Sequence, residues 1–201
     1  QRSSDHALGA LGGEAGLGVA ALSPRAIARL DSYVPPRPVP KVLRLRNDKG
    51  FDRALATGSM INTFSVLTLE DWIDALEWAE REGGLKTLIA RTEANAGALD
   101  AWVERTDWID WLAEEPETRS TTSVCLKIVD PLVVAMDEDR RRELVMRMKA
   151  LLEGEGAAFD VEGHRNAPAG LRVWCGCTVD TADIKALTPW LDWAFATAIP
   201  E

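Results

Sequence analysis

Apolar positions recur at helical spacing in some stretches of this chain and at strand spacing in others. Leu69, Trp72, Ile73, Leu76 and Ala79 follow i, i+3, i+4, i+7. Thr68-Leu-Glu-Asp71 supplies the start of this helix, with Thr68 as cap and Asp71 three residues on, and Gly83-Gly84 supplies its stop. A longer helix is expected from Leu85 to about Thr106, with a stripe of Leu85, Leu88, Ile89, Ala96, Leu99, Trp102 and Val103. The two helices would form a hairpin or a bent pair about the Gly-Gly hinge. Ser123–Val129 alternates, placing Val124, Leu126 and Ile128 on one face of a strand. Glu138–Gly154 returns to the helical period, with Leu144, Val145, Met148, Leu151 and Leu152 inward. Ala157–Val161 reads as a short strand. Leu171–Cys175 reads as another, with Leu171, Val173 and Cys175 on one face and Arg172 and Trp174 on the other. Thr181–Leu187 is helical. Pro189, capped by Thr188, then restarts a last helix carrying Leu191, Ala194, Phe195 and Ala198.

The first third is less regular. Leu17–Leu22 is expected as a short buried strand. Ser23-Pro24 is a good helix start, since serine can cap and proline fits the first helical position; the helix would run to about Ser32. Tyr33-Val-Pro-Pro-Arg-Pro-Val-Pro40 must be extended. Residues 41–64 mix basic residues with Gly and Asn and read as irregular, the look of a functional loop or an inter-subunit arm. From Ser123 the order is strand, helix, strand, strand, helix, which implies an α/β unit with a small sheet covered by helices on one face. The expected division is residues 1–64 and residues 65–201.

Composition narrows the function classes. Hydrophobic residues make up 46% of the chain, enough for a real core. The formal net charge of −9 makes nucleic acid and anionic membranes poor partners, so any anionic ligand must be held by a local cluster of bases. The three cysteines, Cys125, Cys175 and Cys177, and the two histidines, His6 and His164, give no metal-ligand spacing; reduced thiols in a cytoplasmic protein are expected. No apolar run approaches the length of a membrane span. The chain begins with Gln1 rather than Met, which suggests a fragment or a processed product.

The residues that carry chemistry sit late in the chain. His164-Arg165 precedes the turn Asn166-Ala-Pro-Ala-Gly170, and Arg172 lies on the strand that leaves it. A hairpin here would return Arg172 toward Arg165, and alternation points Arg172 away from the core. Two arginines and a histidine beside a loop suit an anion, because a guanidinium donates two parallel hydrogen bonds to carboxylate or phosphate. Spacing alone favours the plainer reading, in which both arginines pair with surface acids.

The stretch His164-Arg165-Asn-Ala-Pro-Ala-Gly-Leu-Arg172-Val-Trp resembles the phosphoserine aminotransferases, class V enzymes of pyridoxal-phosphate fold type I. Further matches are Leu11-Gly-Gly-Glu14, Met60-Ile-Asn-Thr63, Glu117-Thr-Arg-Ser120 and Ala186-Leu-Thr-Pro-Trp-Leu-Asp-Trp-Ala-Phe195. The resemblance covers residues 11–198 and corresponds to the C-terminal half of a family member. It implies the small C-terminal α/β domain preceded by a remnant of the large cofactor-binding domain. It implies that His164 and Arg165 bind the substrate phosphate and that Arg172 binds the α-carboxylate. It implies that Asn62 and Thr63, on a loop crossing to the neighbouring subunit, help hold the phosphate of pyridoxal phosphate, although Phe64 replaces the family's proline. The implied partners are phosphoserine, glutamate and 2-oxoglutarate in serine biosynthesis, and a second copy of the chain in a homodimer. The Schiff-base lysine of the family should stand three residues before Gly12, where this chain has Gly9, so the resemblance leaves no catalytic residue here. A non-catalytic fragment, an anion-binding or dimerisation module, or part of another class V aminotransferase are the alternatives.

Overall fold

The computed structural model describes residues 20–59, 61–63 and 65–199. Gly9 and the first half of the expected strand Leu17–Leu22 lie outside the described residues; Ala20–Leu22 is without regular secondary structure. The chain divides into two compact units, Gln1–Glu77 and Trp78–Glu201.

In the first unit, helix α1 (Pro24–Ser32) starts as the sequence predicts. Ser23 is its N-cap, its side chain accepting from the Ala26 N–H at 3.2 Å, and Pro24 fills the first helical position, where a missing donor costs nothing. Residues 41–64, expected to be irregular, contain a small hairpin instead. Strands β1 (Arg46–Asn47) and β2 (Gly50–Phe51) pair antiparallel, flanked by 3-10 turns at Lys41–Leu43 and Arg53–Thr57. The Asp31 carboxylate at the end of α1 accepts from the Phe51 N–H at 2.8 Å and so fastens hairpin to helix. Gly50 has φ +112°, and a Cβ there would strike the Asp31 side chain.

Helix α2 (Val66–Arg81) begins earlier than Thr68. Ser65 takes the cap position: its Oγ accepts from the Thr68 N–H at 3.4 Å, and the Thr68 hydroxyl donates to it at 3.1 Å. Thr68 therefore supports the cap from inside the first turn. Helix α3 (Gly84–Val103) follows Gly83, which takes φ +105°. Its expected stripe is only half core. Leu85 and Ile89 are exposed, whereas Asn95, Ala96, Leu99, Trp102 and Val103 are buried. The helix faces the core only over its later turns.

The core of the second unit lies between α3, a three-stranded sheet and two further helices. Strands β3 (Ile109–Trp111), β4 (Ser123–Ile128) and β5 (Leu171–Trp174) are antiparallel in the order β3-β4-β5. The three-residue β3 was not predicted, being too short to show a period. Short helix α4 (Pro131–Val134) leads to α5 (Glu138–Gly154), capped by Asp137, whose carboxylate accepts from the Arg140 N–H at 2.8 Å. Leu144, Val145, Met148 and Leu152 of α5 are buried. The strand expected at Ala157–Val161 is absent; there the backbone bends through Asp160 at φ +56°, and only Glu162 bridges to Leu171. A residue in the left-handed region cannot continue an extended strand.

The last helix, α6 (Thr181–Ala198), runs unbroken through Pro189, against the expected restart. A helical proline normally orphans the carbonyl four residues back. Here that carbonyl is Lys185 O, and the Thr188 hydroxyl donates to it at 3.2 Å. The threonine read as a cap acts as the proline's missing donor. Helix α6 packs on both α3 and α5. Tryptophans serve this packing: Trp102 and Trp108 both donate to the Asp192 carboxylate, at 3.1 and 3.0 Å, and Trp108 stacks on Phe195 with ring centroids 4.1 Å apart. Trp190 and Trp193 face outward and meet each other edge to face at 5.5 Å.

The loop from β5 to α6 hangs on one buried side chain. Asn95 Nδ2 donates to the carbonyls of Cys175 (3.3 Å), Gly176 (3.2 Å) and Val179 (2.9 Å), and its Oδ1 accepts from the Thr181 hydroxyl at 2.6 Å. Arg91, one turn earlier, donates to Cys177 O and pairs with Asp180 at 2.6 Å. A second tie joins α5 to the β5 edge, where Lys149 Nζ lies 2.5 Å from Glu162 Oε1. That hydrogen bond, with the nearby carboxylates, raises the Lys149 pKa against a smaller burial effect. At Glu162, burial pushes upward, but the Lys149 hydrogen bond, a backbone bond and the charges of Lys149 and Arg172 outweigh it and hold the carboxyl below its ordinary value.

Two outcomes follow from these ties. Asn95→Leu removes the side-chain donor from the Cys175 and Val179 carbonyls and should lower the unfolding free energy by about 2–4 kcal/mol, seen as a lower urea midpoint; an unchanged midpoint would refute the role of Asn95. For Glu162 the folded pKa is lowered, so its contribution is complete above the ordinary carboxylate range and is lost as pH falls through the folded value. For Lys149 the folded pKa is raised, so its share is lost as pH rises through that value. Urea midpoints of the parent and Glu162→Gln should differ through neutral pH and converge at both acid and alkaline extremes.

Candidate functional site

The segment carrying His164, Arg165 and Arg172 is a pinned turn. Gly163 N–H donates to Gly170 O at 2.9 Å and Arg172 N–H to Val161 O at 2.7 Å, so the chain does fold back on itself. Within the turn, Ala167 N–H donates to His164 O at 2.8 Å. The exposed His164 ring accepts from the Asn166 N–H through Nδ1, which leaves Nε2 as its second nitrogen. The turn is docked on the start of α5. Glu138 Oε1 accepts from the Ala169 N–H at 2.9 Å and pairs with Arg142 at 2.8 Å, while Arg142 donates to Ala167 O at 2.7 Å. Gly170 lies against β4, and a Cβ at this position would collide with the Leu126 carbonyl oxygen. Only glycine lets the turn close onto the sheet.

Its surroundings separate the two arginines. Exposed Arg165 opens onto a cavity of about 280 Å³, together with Arg142, Glu162, Met146 and Pro168. Arg172 opens onto a second cavity of about 510 Å³, with Phe159, Asp160, Trp174 and Leu187. Across the folded-back chain Arg172 stands opposite Val161, and its guanidinium pairs with Asp160 at 3.2 Å. As the alternation predicts, Leu171, Val173 and Cys175 are buried and Arg172 and Trp174 turn outward. Asn62 and Thr63 belong to the first unit and are exposed.

Arg142, Glu162, Lys149 and Asp160 escaped the sequence reading. Arg142 is one of three consecutive arginines, and only the docking of the turn distinguishes it from its neighbours. Asp160 reaches Arg172 through a left-handed backbone that carries no pattern in the sequence.

His164, Arg165 and Arg172, on the turn and on β5, are side chains of a type suited to an anion. Burial raises the Cys175 thiol to about 11, so it stays protonated and unreactive at neutral pH. Among the described residues no group of three His, Cys, Asp or Glu side chains is arranged to hold a metal ion, and no helix is long and apolar enough to cross a membrane.

Comparison with known proteins agrees with the motif reading. No family model matches the chain. It is 44% identical to the phosphoserine aminotransferase of Methanosarcina mazei over 185 residues, 92% of this chain and 47% of that protein. The Methanosarcina barkeri phosphoserine aminotransferase gives the same figures. A putative phosphoserine aminotransferase of Mycobacterium avium is 30% identical over 90% of this chain and 45% of its own length. In structure, the phosphoserine aminotransferase of Bacillus circulans subsp. alkalophilus superposes with a TM-score of 0.56 at 18% identity, over 71% of this chain and 36% of that one. The pyridoxal-phosphate-bound enzyme of Trichomonas vaginalis gives 0.57 at 18% identity, over 69% and 36%. The α/β fold is thus the one found in part of these aminotransferases. The chain is a relative of the phosphoserine aminotransferases, spanning about half the length of the curated members it matches.

Proposed function

We propose that this chain carries the substrate-binding part of a phosphoserine transaminase, the activity that exchanges an amino group between phosphoserine and 2-oxoglutarate in serine biosynthesis. The observation that carries this reading is the 44% identity across 92% of the chain to enzymes of that name, joined to a pinned turn that presents His164 and Arg165 and a strand that presents Arg172. His164 and Arg165 take the substrate phosphate, and Arg172 takes the α-carboxylate through its planar fork. Asp160 fits this role. Its pairing with Arg172 is largely exposed and stabilises by under about 1 kcal/mol, so an incoming carboxylate replaces one carboxylate by another at small cost. Phe159 and Trp174 border the same cavity and give it apolar walls.

Pyridoxal phosphate, when bound, supplies the electron sink for amino-group transfer. The amide of Asn62 and the hydroxyl of Thr63 are exposed donors suited to its phosphate, in a site shared between two subunits of a cytoplasmic homodimer. Covalent attachment does not fit the residues present, because Gly9 has no amine where the family's lysine is expected. The chain by itself is therefore read as a binding part without catalysis. A second reading, a non-catalytic anion-binding or dimerisation module, rests on the same Gly9. An alanine–glyoxylate type of transaminase has less need of a His-Arg pair beside the carboxylate arginine, so competition of phosphoserine against alanine separates it.

In a full-length parent, Arg172→Gln should reduce kcat/KM for phosphoserine by about 100-fold, a loss of roughly 2.7 kcal/mol. Asp160→Asn, which keeps the left-handed backbone and removes the competing charge, should tighten phosphoserine binding by about two- to fivefold. Unchanged turnover in Arg172→Gln would overturn the carboxylate role. For the chain alone, pyridoxal phosphate and borohydride should label no single lysine stoichiometrically. One mapped, stoichiometric site would overturn the reading as a non-catalytic part.

A further inference from the structure

The first unit holds a cavity of about 620 Å³ that plays no part in the reading above. Arg37, Lys41, Arg44 and Arg46 line it, with Asp48 and Asp52, so its walls carry two net positive charges in a chain of net charge −9. The bases come from one stretch: residues 32–47 contain four and no acid. One of the two acids is already engaged, since Asp52 accepts from the Ala54 N–H at 3.2 Å to cap the 3-10 turn.

Each base keeps donors to offer. Arg44 uses one terminal nitrogen on Val39 O at 3.0 Å, which fixes the side chain and leaves the rest of the guanidinium. Arg46 uses Nε on Leu30 O at 3.1 Å, which leaves both terminal nitrogens as a fork. Among the described residues neither the Arg37 guanidinium nor the Lys41 ammonium has an ion-pair or hydrogen-bond partner. The backbone beneath them is stiff. Pro35, Pro36, Pro38 and Pro40 fix φ along the approach, and the β1–β2 hairpin is tied to Asp31. A solvated basic loop would let four like charges move apart. Here all four line one space, where like charges repel and a bound anion would relieve the repulsion.

We propose that this cavity is an anion site for a compact dianion of the phosphate class, either free phosphate or a phosphate monoester. Two forked guanidiniums and an ammonium match tetrahedral oxygens from several sides, and a charge of about −2 neutralises the walls. This site lies in the first unit and uses none of His164, Arg165, Arg172, Asn62 or Thr63.

The test is calorimetric titration of the chain with inorganic phosphate and, separately, with glycerol 2-phosphate, at constant ionic strength and against a chloride control. An Arg165→Gln/Arg172→Gln background keeps the substrate-site anions out of the signal. Saturable binding is expected, and Arg37→Gln/Lys41→Gln should weaken it about tenfold or more, with an unchanged melting temperature because neither side chain supports the fold. Tighter binding of the monoester would identify it as the ligand class; equal or weaker binding would identify free phosphate. No saturable heat beyond chloride, or undiminished binding in Arg37→Gln/Lys41→Gln, would overturn the proposal. So would loss of binding in Asn62→Ala/Thr63→Ala alone. Failure here leaves the Arg172 result untouched, because that variant is read by turnover in another unit.

Discussion

The second unit depends on satisfying the backbone where β5 leaves the sheet. Three carbonyls, from Cys175, Gly176 and Val179, turn inward there, away from any strand or helix partner. An amide group with two donors and an acceptor is the smallest side chain that can serve them and also hold a hydroxyl of the next helix. Asn95 does this from the fully buried face of α3. Through it, the strand that presents Arg172 and the helix that closes the core are fixed to a third element. Arg91 repeats the tie at the surface, where solvent competes and each contact counts for less.

What was legible in the sequence is what repeats or what is local. Ser23-Pro24 marks a helix start by side-chain chemistry alone. The α5 stripe recurs from Leu144 to Leu152, more than two full turns. The alternation of Leu171, Arg172 and Val173 settles which way Arg172 faces, because the strand lies against a core that accepts only one of its faces. The misses share a physical cause. Strands of two or three residues, β1, β2 and β3, have no room for a period. The bend at Asp160 replaces an expected strand because one residue with positive φ outweighs the strand propensity of Phe159 and Val161. Thr68 lost the cap to Ser65 because both side chains qualify and the helix extends to the outer one.

The candidate site divides in the same way. Motif residues, His164, Arg165 and Arg172, stand out by type and spacing. The residues that set their surroundings do not. Glu138 and Arg142 hold the turn from a helix whose charged face looks ordinary in sequence, and Glu162 and Lys149 meet across elements. The two arginines open onto separate cavities, Arg165 beside Glu162 and Pro168 and Arg172 beside Asp160 and Trp174.

Thr188 and Pro189 have a further consequence. The hydroxyl is useful to the helix because the neighbouring ring lacks a proton to give, and the ring is tolerable because the hydroxyl stands in for it. A lineage that drops the threonine first carries an orphaned carbonyl until the proline also goes, whereas one that drops the proline first meets no such barrier. The order of change along this helix is thereby constrained by a single hydrogen bond.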